Sequence, residues 1–237
     1  MGLFSSEKPE PHEWSIITRD FDRFIEFGVF LKNKISLAGN SGWLVSIGCG
    51  FGEEAPGLLA GLRGSGFMGG YLGVDVAGFE RASIAAFLER ASSRDNKDEE
   101  MVRKFAADNA DLISFSYGRE WDATKKDIWE NIEDKTGGDP GIILLRHPDV
   151  QSYPEVFKQI FRNVVDYASQ RSIQVVVTTS NDTSEQKIRE FLGEAVGQLE
   201  LLHRLKSFDT GHLSRSQSTR SGNRYLDQTT LVLYPPL

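Results

Sequence analysis

Three glycines alternate with other residues directly after a short apolar run, in the stretch "WLVSIGCGFGEEA" at residues 43–55. Gly48, Gly50 and Gly52 have no side chain, so the backbone there can adopt positive φ and approach a bound molecule closely. The N–H groups at the start of a following helix suit an anionic group. A tight turn without a ligand is the simpler alternative, but three glycines in five residues exceed what a turn requires. We therefore expect a binding turn between a strand at 43–47 and a helix that starts at the two acids.

The spacing of these glycines bears on the kind of ligand. The dinucleotide-binding pattern is G-x-G-x-x-G, whereas here the third glycine comes one residue early and Glu53 occupies its place. An acid there would face a pyrophosphate unfavourably. The next apolar strand ends near Asp75, whose carboxylate can accept hydrogen bonds from both hydroxyls of a ribose. These residues favour a nucleoside ligand over a dinucleotide.

Strands and helices alternate along most of the chain, which predicts an α/β fold with a largely parallel sheet covered on both faces. The last two strand-like stretches, 199–209 and 228–237, have no helical pattern between them and must pair antiparallel. The other expected strands are 43–47, 70–76, 102–108, 142–150 and 173–181, and the expected helices are 12–37, 53–66, 78–93, 119–136, 152–170 and 182–197. The helix at 182–197 opens with the capping pattern Asp182/Thr183.

Four stretches together resemble the class I S-adenosylmethionine-dependent methyltransferases, over about 190 residues from Trp43 onwards. "VSIGCGFG" is similar to the first motif of that family, "YLGVDVA" to the second, "FAADNADL" to the third strand and its turn, and "IILLRHPDV" stands in the place of the fourth. The terminal antiparallel strands match the hairpin that ends this fold. The resemblance implies a three-layer sandwich with seven strands in the order 3-2-1-4-5-7-6, and S-adenosylmethionine as the cofactor. The donor-binding residues that it implies are Ser46, Gly48, Cys49, Gly50, Gly52, Asp75, Val76, Asp108 and Asn109.

Two departures from the family pattern limit what the resemblance implies. Members usually have an acid two residues before the first glycine, where this chain has the uncharged Ser46. Charge-assisted hydrogen bonds are about twice as strong as neutral ones, so donor affinity is weaker unless another acid, such as Glu53, substitutes. The fourth motif, "RHPD", differs from the N-P-P-Y motif of amino-group methylases. The acceptor of those enzymes is therefore not carried over.

Polar residues at the end of the fourth expected strand are the candidates for catalysis. His147 is the natural general base, because imidazole titrates near neutrality; a structural or donor-contacting role is the alternative. Arg146 is a candidate for binding an acceptor carboxylate, or for an ion pair with Asp149 or Asp75. The chain's one cysteine, Cys49, lacks an adjacent base and is interpreted as a small residue that fits the turn.

Composition excludes several classes of protein. The 237 residues carry a formal net charge of -7, which makes bulk nucleic-acid binding unlikely. One cysteine allows no internal disulfide, and no apolar run is long enough to cross a bilayer, so we expect a cytoplasmic protein. No His, Cys and Asp grouping has metal-ligand spacing, so no metal is expected.

We expect a methyltransferase domain at 43–237, preceded by an N-terminal tail and amphipathic helix at 1–42 that packs on or over the site. Phe21, Phe24 and Phe27 in that helix either cover the ligands or belong to the core, and the same two readings apply to Tyr117, Trp121 and Trp129. The basic stretch at 211–224 is either a plain hairpin loop or a flap that recruits an anionic acceptor. The acceptor, a small molecule or a protein side chain, is unidentified. A non-catalytic donor-binding protein and a nicotinamide-dependent oxidoreductase are the alternatives.

Overall fold

A computed structural model of the chain describes residues 11–35, 42–50, 52–64, 66–77, 104–105, 107–214 and 227–236. The expected helix at 78–93 and most of the basic stretch at 211–224 lie outside these residues. The described helices are α1 (Pro11–Ile35), α2 (Ala55–Arg63), α3 (Ile128–Thr136), α4 (Pro154–Arg171), α5 (Asp182–Val196) and α6 (Gln198–Arg204), and the strands are β1 (Leu44–Ile47), β2 (Tyr71–Asp75), β3 (Ile113–Tyr117), β4 (Ile142–Arg146), β5 (Gln174–Thr179), β6 (Leu205–Asp209) and β7 (Thr229–Leu233). Among these helices, none is both long and apolar enough to span a bilayer.

The strands form one seven-stranded sheet in the order β3-β2-β1-β4-β5-β7-β6, which confirms the order predicted above. The pairs from β3 through β5 are parallel, and β7 pairs antiparallel with both β5 and β6. Because β1 lies between β2 and β4, the strand order reverses direction there. In open α/β sheets, ligands bind beyond the carboxyl ends of the strands at such a reversal, so the glycine turn after β1 lies where a ligand is expected.

Alternate residues of the central strands enter two separate hydrophobic clusters, one on each face of the sheet. Val45 of β1 packs with the cluster that contains α3, α4 and α5, and its neighbour Leu44 packs with the cluster that contains α1 and α2. This alternation follows from the period of two along a strand. Burial on both faces explains why these strands are continuous apolar runs, and it confirms the three-layer α/β architecture.

The third strand was predicted at the wrong place. The structure puts β3 at Ile113–Tyr117, and the described residues of the expected strand at 102–108 are mostly helical. The segment "VRKFAAD" is rich in alanine and charged residues, which suit a helix. The segment "ISFSY" alternates large apolar side chains with serine, which is the pattern of a strand.

The C-terminal hairpin is confirmed, but its first strand is shorter than predicted. Residues Gln198–Arg204 form α6, and β6 begins only at Leu205. In "LELLHR" the spacing of Leu199 and Leu202 is helical, and their side chains are exposed. Helix α5 also starts differently: Asn181 caps it, accepting a hydrogen bond from the Ser184 N–H.

Helices α1 and α2 are in contact through their backbones at three glycines. A Cβ added at Gly61 would lie 2.2 Å from the Ile25 carbonyl oxygen, and one added at Gly28 would lie 2.6 Å from that of Leu58. At Gly57 the corresponding neighbour is the Phe21 carbonyl oxygen, also at 2.6 Å. Such separations are too short for any side chain, so these glycines set how closely α1 approaches α2.

Replacing Gly61 with alanine is expected to lower the free energy of unfolding by about 1–3 kcal/mol, the usual cost of overpacking. The added methyl group would force α1 away from α2 against the Ile25 backbone. Urea titration of both proteins measures the effect. Gly64→Ala is the control, because its nearest neighbour is 3.5 Å away; equal stability of the two variants would contradict the close packing.

Candidate functional site

The glycine turn after β1 presents bare backbone on one side. Gly48 and Gly50 have φ of 67° and 54°, in the left-handed region that glycine adopts at little cost. A Cβ added at either position would meet nothing within 4 Å, so an open space lies next to the backbone there. Gly52 also has positive φ, 71°, but there an added Cβ would strike the Phe115 ring at 2.1 Å. The first two glycines therefore face open space, and the third makes room for Phe115.

Asp75, at the carboxyl end of β2, holds this turn in place. Its Oδ2 accepts a hydrogen bond from the Gly50 N–H at 3.0 Å, and its Oδ1 accepts one from the Ala77 N–H at 2.8 Å. The Tyr117 hydroxyl, at the end of β3, donates to the Gly50 carbonyl at 3.2 Å. Each carboxylate oxygen has two lone pairs, so Asp75 retains acceptor capacity beside the open space. Val76 follows with 52% of its surface exposed.

Ser46 does not present its hydroxyl to a ligand. The hydroxyl donates to Oε1 of Glu54 at 3.0 Å, and the Tyr71 hydroxyl donates to the same oxygen at 2.7 Å. Glu54 is 2% exposed; burial, and next the neighbouring Glu53 carboxylate, raise the pKa of its side chain. A buried carboxyl group thus lies against Ser46, the position at which the family that the sequence resembles usually has an acid.

Arg146, at the end of β4, is the centre of a buried ion-pair cluster that also contains Arg23, Glu53, Glu54, His147 and Asp227. Its Nη1 lies 3.0 Å from Oε1 of Glu53 and 3.8 Å from Oε2 of Glu54, and its Nε lies 3.5 Å from Oδ1 of Asp227. Of the roles considered for Arg146, an ion pair is present, but its carboxylates are these three and not Asp149 or Asp75. With three carboxylates around it, this guanidinium is engaged in holding α2 and the segment before β7 against β4.

His147 is both conformationally strained and close to an acid. Its φ is 48°, which is uncommon for a residue with a side chain and typical of functional sites. Its Nε2 lies 2.9 Å from Oδ1 of Asp227, close enough for an ion pair when the imidazole is protonated, and neither atom makes an aligned hydrogen bond within the described residues. The strand predicted to reach residue 150 ends at Arg146, because this left-handed residue breaks it.

Asp227 is the shared anion of the cluster. Burial alone would raise the pKa of its carboxyl group, but the Arg146 guanidinium and the His147 imidazole more than offset this and hold the pKa well below its usual range. Arg23 of α1 adds a further contact, at 3.2 Å. Asp227 is therefore ionised in the folded protein at neutral pH, where it faces two guanidinium groups and the His147 imidazole.

Helix α1 covers the ion-pair cluster with an aromatic ring. The guanidinium carbons of Arg146 and Arg23 lie 4.7 Å and 4.9 Å from the centre of the Phe24 ring, and Phe24 is fully buried. Phe21 and Phe27 are also buried. All three rings predicted as lid or core therefore belong to the core, and Phe24 contributes cation–π contacts besides.

Asp108 and Asn109 are not brought to this site. Both precede β3, at the end of the sheet where strands begin, whereas the glycine turn lies where they end. The Asn109 side chain accepts a hydrogen bond from Arg63 and donates one to the Phe105 carbonyl. The expected contact of these two residues with the adenine group depended on a third strand at 102–108, whereas the third strand of the structure begins at Ile113.

The tryptophans predicted near the adenine pocket pack in the core. Trp129 stacks on Tyr167 with ring centres 4.2 Å apart, and Trp121 packs against the same hydrophobic cluster. Of the aromatic candidates, Tyr117 is the one whose polar atom contacts the glycine turn.

Two site residues were missed by the sequence analysis. Glu54 had a visible signal, because it follows the glycines directly, but Glu53 was considered instead. Asp227 had none: it is an isolated acid 80 positions after His147 in the chain, and only the antiparallel insertion of β7 beside β5 brings the two together. Among the described residues, no group of three or more His, Cys, Asp or Glu side chains is arranged to hold a metal ion.

Cys49 is expected to react slowly with iodoacetamide in the folded protein. Burial, then the Glu54 and Asp75 carboxylates, raise the pKa of its thiol well above the usual value, and the side chain is 6% exposed. Since the thiolate is the nucleophile, alkylation at pH 8 should be at least about 100-fold slower than in urea. Mass spectrometry of this single-cysteine chain follows the reaction; comparable rates in both states would contradict the buried position.

Comparisons with known proteins agree on the architecture. No protein-family model and no curated protein matches the sequence. Among solved structures, the methyltransferase domain of bacterial CtHen1 is similar with a TM-score of 0.50 and 17% identity, over 91% of this chain and 98% of that domain. The rRNA methyltransferase aviRa from Streptomyces viridochromogenes gives a TM-score of 0.53 at 12% identity, over 89% of this chain and 84% of that one. This chain therefore has the fold of the class I S-adenosylmethionine-dependent methyltransferases.

Proposed function

We propose that the protein transfers a methyl group from S-adenosylmethionine to an acceptor, leaving S-adenosylhomocysteine. The observation that carries this proposal is the open space beside Gly48 and Gly50, next to the Asp75 carboxylate at the end of the adjacent strand. A Cβ would intrude into this space, which we assign to the nucleoside of the donor. The donor supplies a methyl group on a cationic sulfur, so the acceptor's lone pair forms the new bond while the carbon–sulfur bond breaks and its electron pair stays on sulfur.

The residues of this chain contribute binding, positioning and proton transfer. The backbone at Gly48 and Gly50 forms one wall of the donor site, Asp75 accepts hydrogen bonds from the ribose hydroxyls, and the exposed Val76 side chain offers an apolar surface to the base. Cys49 and Ser46 shape the turn from its buried side. His147, oriented by Asp227, takes the proton that the acceptor loses. Arg146 positions His147 and Glu53 rather than binding the acceptor.

A second candidate is a donor-binding protein without transferase activity. It is favoured by one observation: the acids nearest the glycine turn already have partners within the protein. Glu54 accepts hydrogen bonds from Ser46 and Tyr71, and Glu53 pairs with Arg146. With both of these glutamates engaged and Asp75 assigned to the ribose, the site holds the ammonium group of the donor less tightly. The nicotinamide alternative has no such support, because the antiparallel β7 between β5 and β6 is foreign to dinucleotide-binding domains.

Binding is tested by thermal denaturation with S-adenosylhomocysteine and, separately, with NAD. At 100 times its dissociation constant, a ligand stabilises the folded state by about 2.7 kcal/mol, which for a chain of this size raises Tm by roughly 5–10 °C. We expect this rise with S-adenosylhomocysteine and none with NAD. A rise with NAD alone would overturn the proposal.

Transfer is tested with methyl-labelled donor and separate pools of small molecules, proteins and RNA. Labelled product that forms with the natural chain and is lost in His147→Gln supports the enzyme. The control is His203→Gln, since His203 is exposed on α6 and should not matter. Tight binding of S-adenosylhomocysteine with no labelled product in any pool would favour the donor-binding protein instead.

A further inference from the structure

A cleft of about 220 Å³ opens between the carboxyl ends of β4 and β5 and the start of α5. It lies on the other side of β4 from the glycine turn, and its lining includes His147, Asp149, Thr178, Thr179, Asn181 and Ser184. Typical pockets for drug-sized ligands have roughly 300–1,000 Å³. The volume therefore suits a molecule about the size of an amino acid.

The Thr179 hydroxyl in the lining is buried without a hydrogen-bond partner. Thr179 is 1% exposed, and its Oγ1 makes no hydrogen bond within the described part of the chain. Its side chain is on the same face of β5 as Val175 and Val177, which pack towards α5. Thr178, by contrast, pairs with Arg146 and points to the opposite, α1 face. A buried polar atom left without a partner costs about 1–3 kcal/mol, and a ligand in the cleft removes this cost because a hydroxyl both donates and accepts.

The charge of the lining indicates what it binds. Among the described residues that line the cleft there is no lysine or arginine, and Asp149 supplies a carboxylate at the mouth. The first turn of α5 adds Asp182 and Glu185, which offset the attraction of a helix N-terminus for anions. A carboxylate or phosphate would meet repulsion here, whereas an amine meets an acid and hydroxyl acceptors.

His147 connects this cleft to the proposed reaction. It is the one residue of the ion-pair cluster that also lines the cleft, and β4, which it terminates, lies directly beside β1 and its glycine turn. A group bound in the cleft next to His147 is thus positioned to lose a proton to the imidazole.

We infer that the cleft is the acceptor site and that the acceptor is a small amine without a carboxylate or phosphate group. This rests on the proposed function and gives it a substrate class. The amine nitrogen forms the bond to the methyl carbon, the carbon–sulfur bond breaks with its pair remaining on sulfur, and one N–H proton passes to His147. The unpaired hydroxyl of Thr179 holds a further polar group of the acceptor.

The test is a titration of the isotope-labelled full chain, followed by NMR at the amides of residues 178–181, with and without saturating S-adenosylhomocysteine. The probes are ethanolamine, glycerol, succinate and inorganic phosphate. We expect saturable shifts with ethanolamine and none with succinate or phosphate. Thr179→Val, which keeps the shape but removes the hydroxyl, should weaken ethanolamine binding about fivefold to tenfold. Thr183→Val, exposed on α5, is the matched control.

Several results would contradict an amine acceptor in this cleft. Stronger binding of glycerol than of ethanolamine, binding of either anion at these amides, or no response to any probe would overturn the inference. So would unchanged ethanolamine affinity in Thr179→Val. S-adenosylhomocysteine binding measured on the same samples separates the two proposals. If it binds normally and the amine does not, the acceptor class is wrong and the donor site stands. If the amine binds and S-adenosylhomocysteine does not, the donor site and the methyl-acceptor role are both rejected, and the cleft is an amine site only.

Discussion

Gly50→Ala is expected to raise the dissociation constant for S-adenosylhomocysteine about 100-fold, equivalent to about 2.8 kcal/mol. The new methyl group would enter the space in which a Cβ meets nothing within 4 Å, and in the proposal this space holds the ligand. The fold should survive, because the only other cost is the left-handed φ of 54°, about 1–2 kcal/mol for an L-residue. Calorimetry gives the affinity and urea titration gives the stability.

The matched control for this variant is Gly137→Ala. Gly137 follows α3 with a φ of 74°, and an added Cβ there also meets nothing within 4 Å. The two variants therefore introduce the same backbone strain, one beside the proposed site and the other at a distant helix end. Equal affinity for S-adenosylhomocysteine in both would show that the ligand does not touch the glycine turn.

The sheet could be predicted from sequence because its strands are apolar on both faces. β1, β4 and β5 consist mostly of aliphatic residues, and short runs of this kind favour parallel strands that are buried on both faces. β3 was missed because it lies at the sheet edge, half exposed, so its residues alternate apolar with serine. The start of β6 was missed because Leu199 and Leu202 are apolar yet exposed, and hydrophobicity alone did not distinguish a surface helix from a strand.

The candidate site was predictable where it depends on local sequence. Positive φ at Gly48, Gly50 and Gly52 follows from what a strand–helix turn requires, and Asp75 follows from its place at a strand end. The partners of Arg146 and His147 were not predictable, since Asp227 reaches them through the topology of β7. The partner of Ser46 was not predictable either. Its hydroxyl donates to Glu54, eight residues later, and the spacing of residues in the sequence does not show where a side chain points.

Asp227→Asn is expected to lower the free energy of unfolding by about 3 kcal/mol at pH 5, the lower end of the cost of removing one partner from a buried ion pair. The lower end applies because Arg146 keeps Glu53 at 3.0 Å, while His147 and Arg23 lose their carboxylate. Urea titration measures the difference between the natural chain and the variant. Asp139→Asn is the control: Asp139 is 54% exposed beside Arg171, and such surface pairs contribute less than about 1 kcal/mol.

The same pair of proteins has a defined dependence on pH. The pKa of Asp227 is held far below its usual range in the folded state, whereas the unfolded value is about 3.9. A group with a depressed folded pKa contributes stability that is complete above the unfolded pKa and is lost as the pH falls towards the folded one. The advantage of the natural chain over Asp227→Asn should therefore shrink between pH 5 and pH 3, as the unfolded chain alone takes up the proton. A difference in stability that stayed constant over this range would mean that Asp227 is not ionised against Arg146 and His147, and the orientation of His147 would then need another cause.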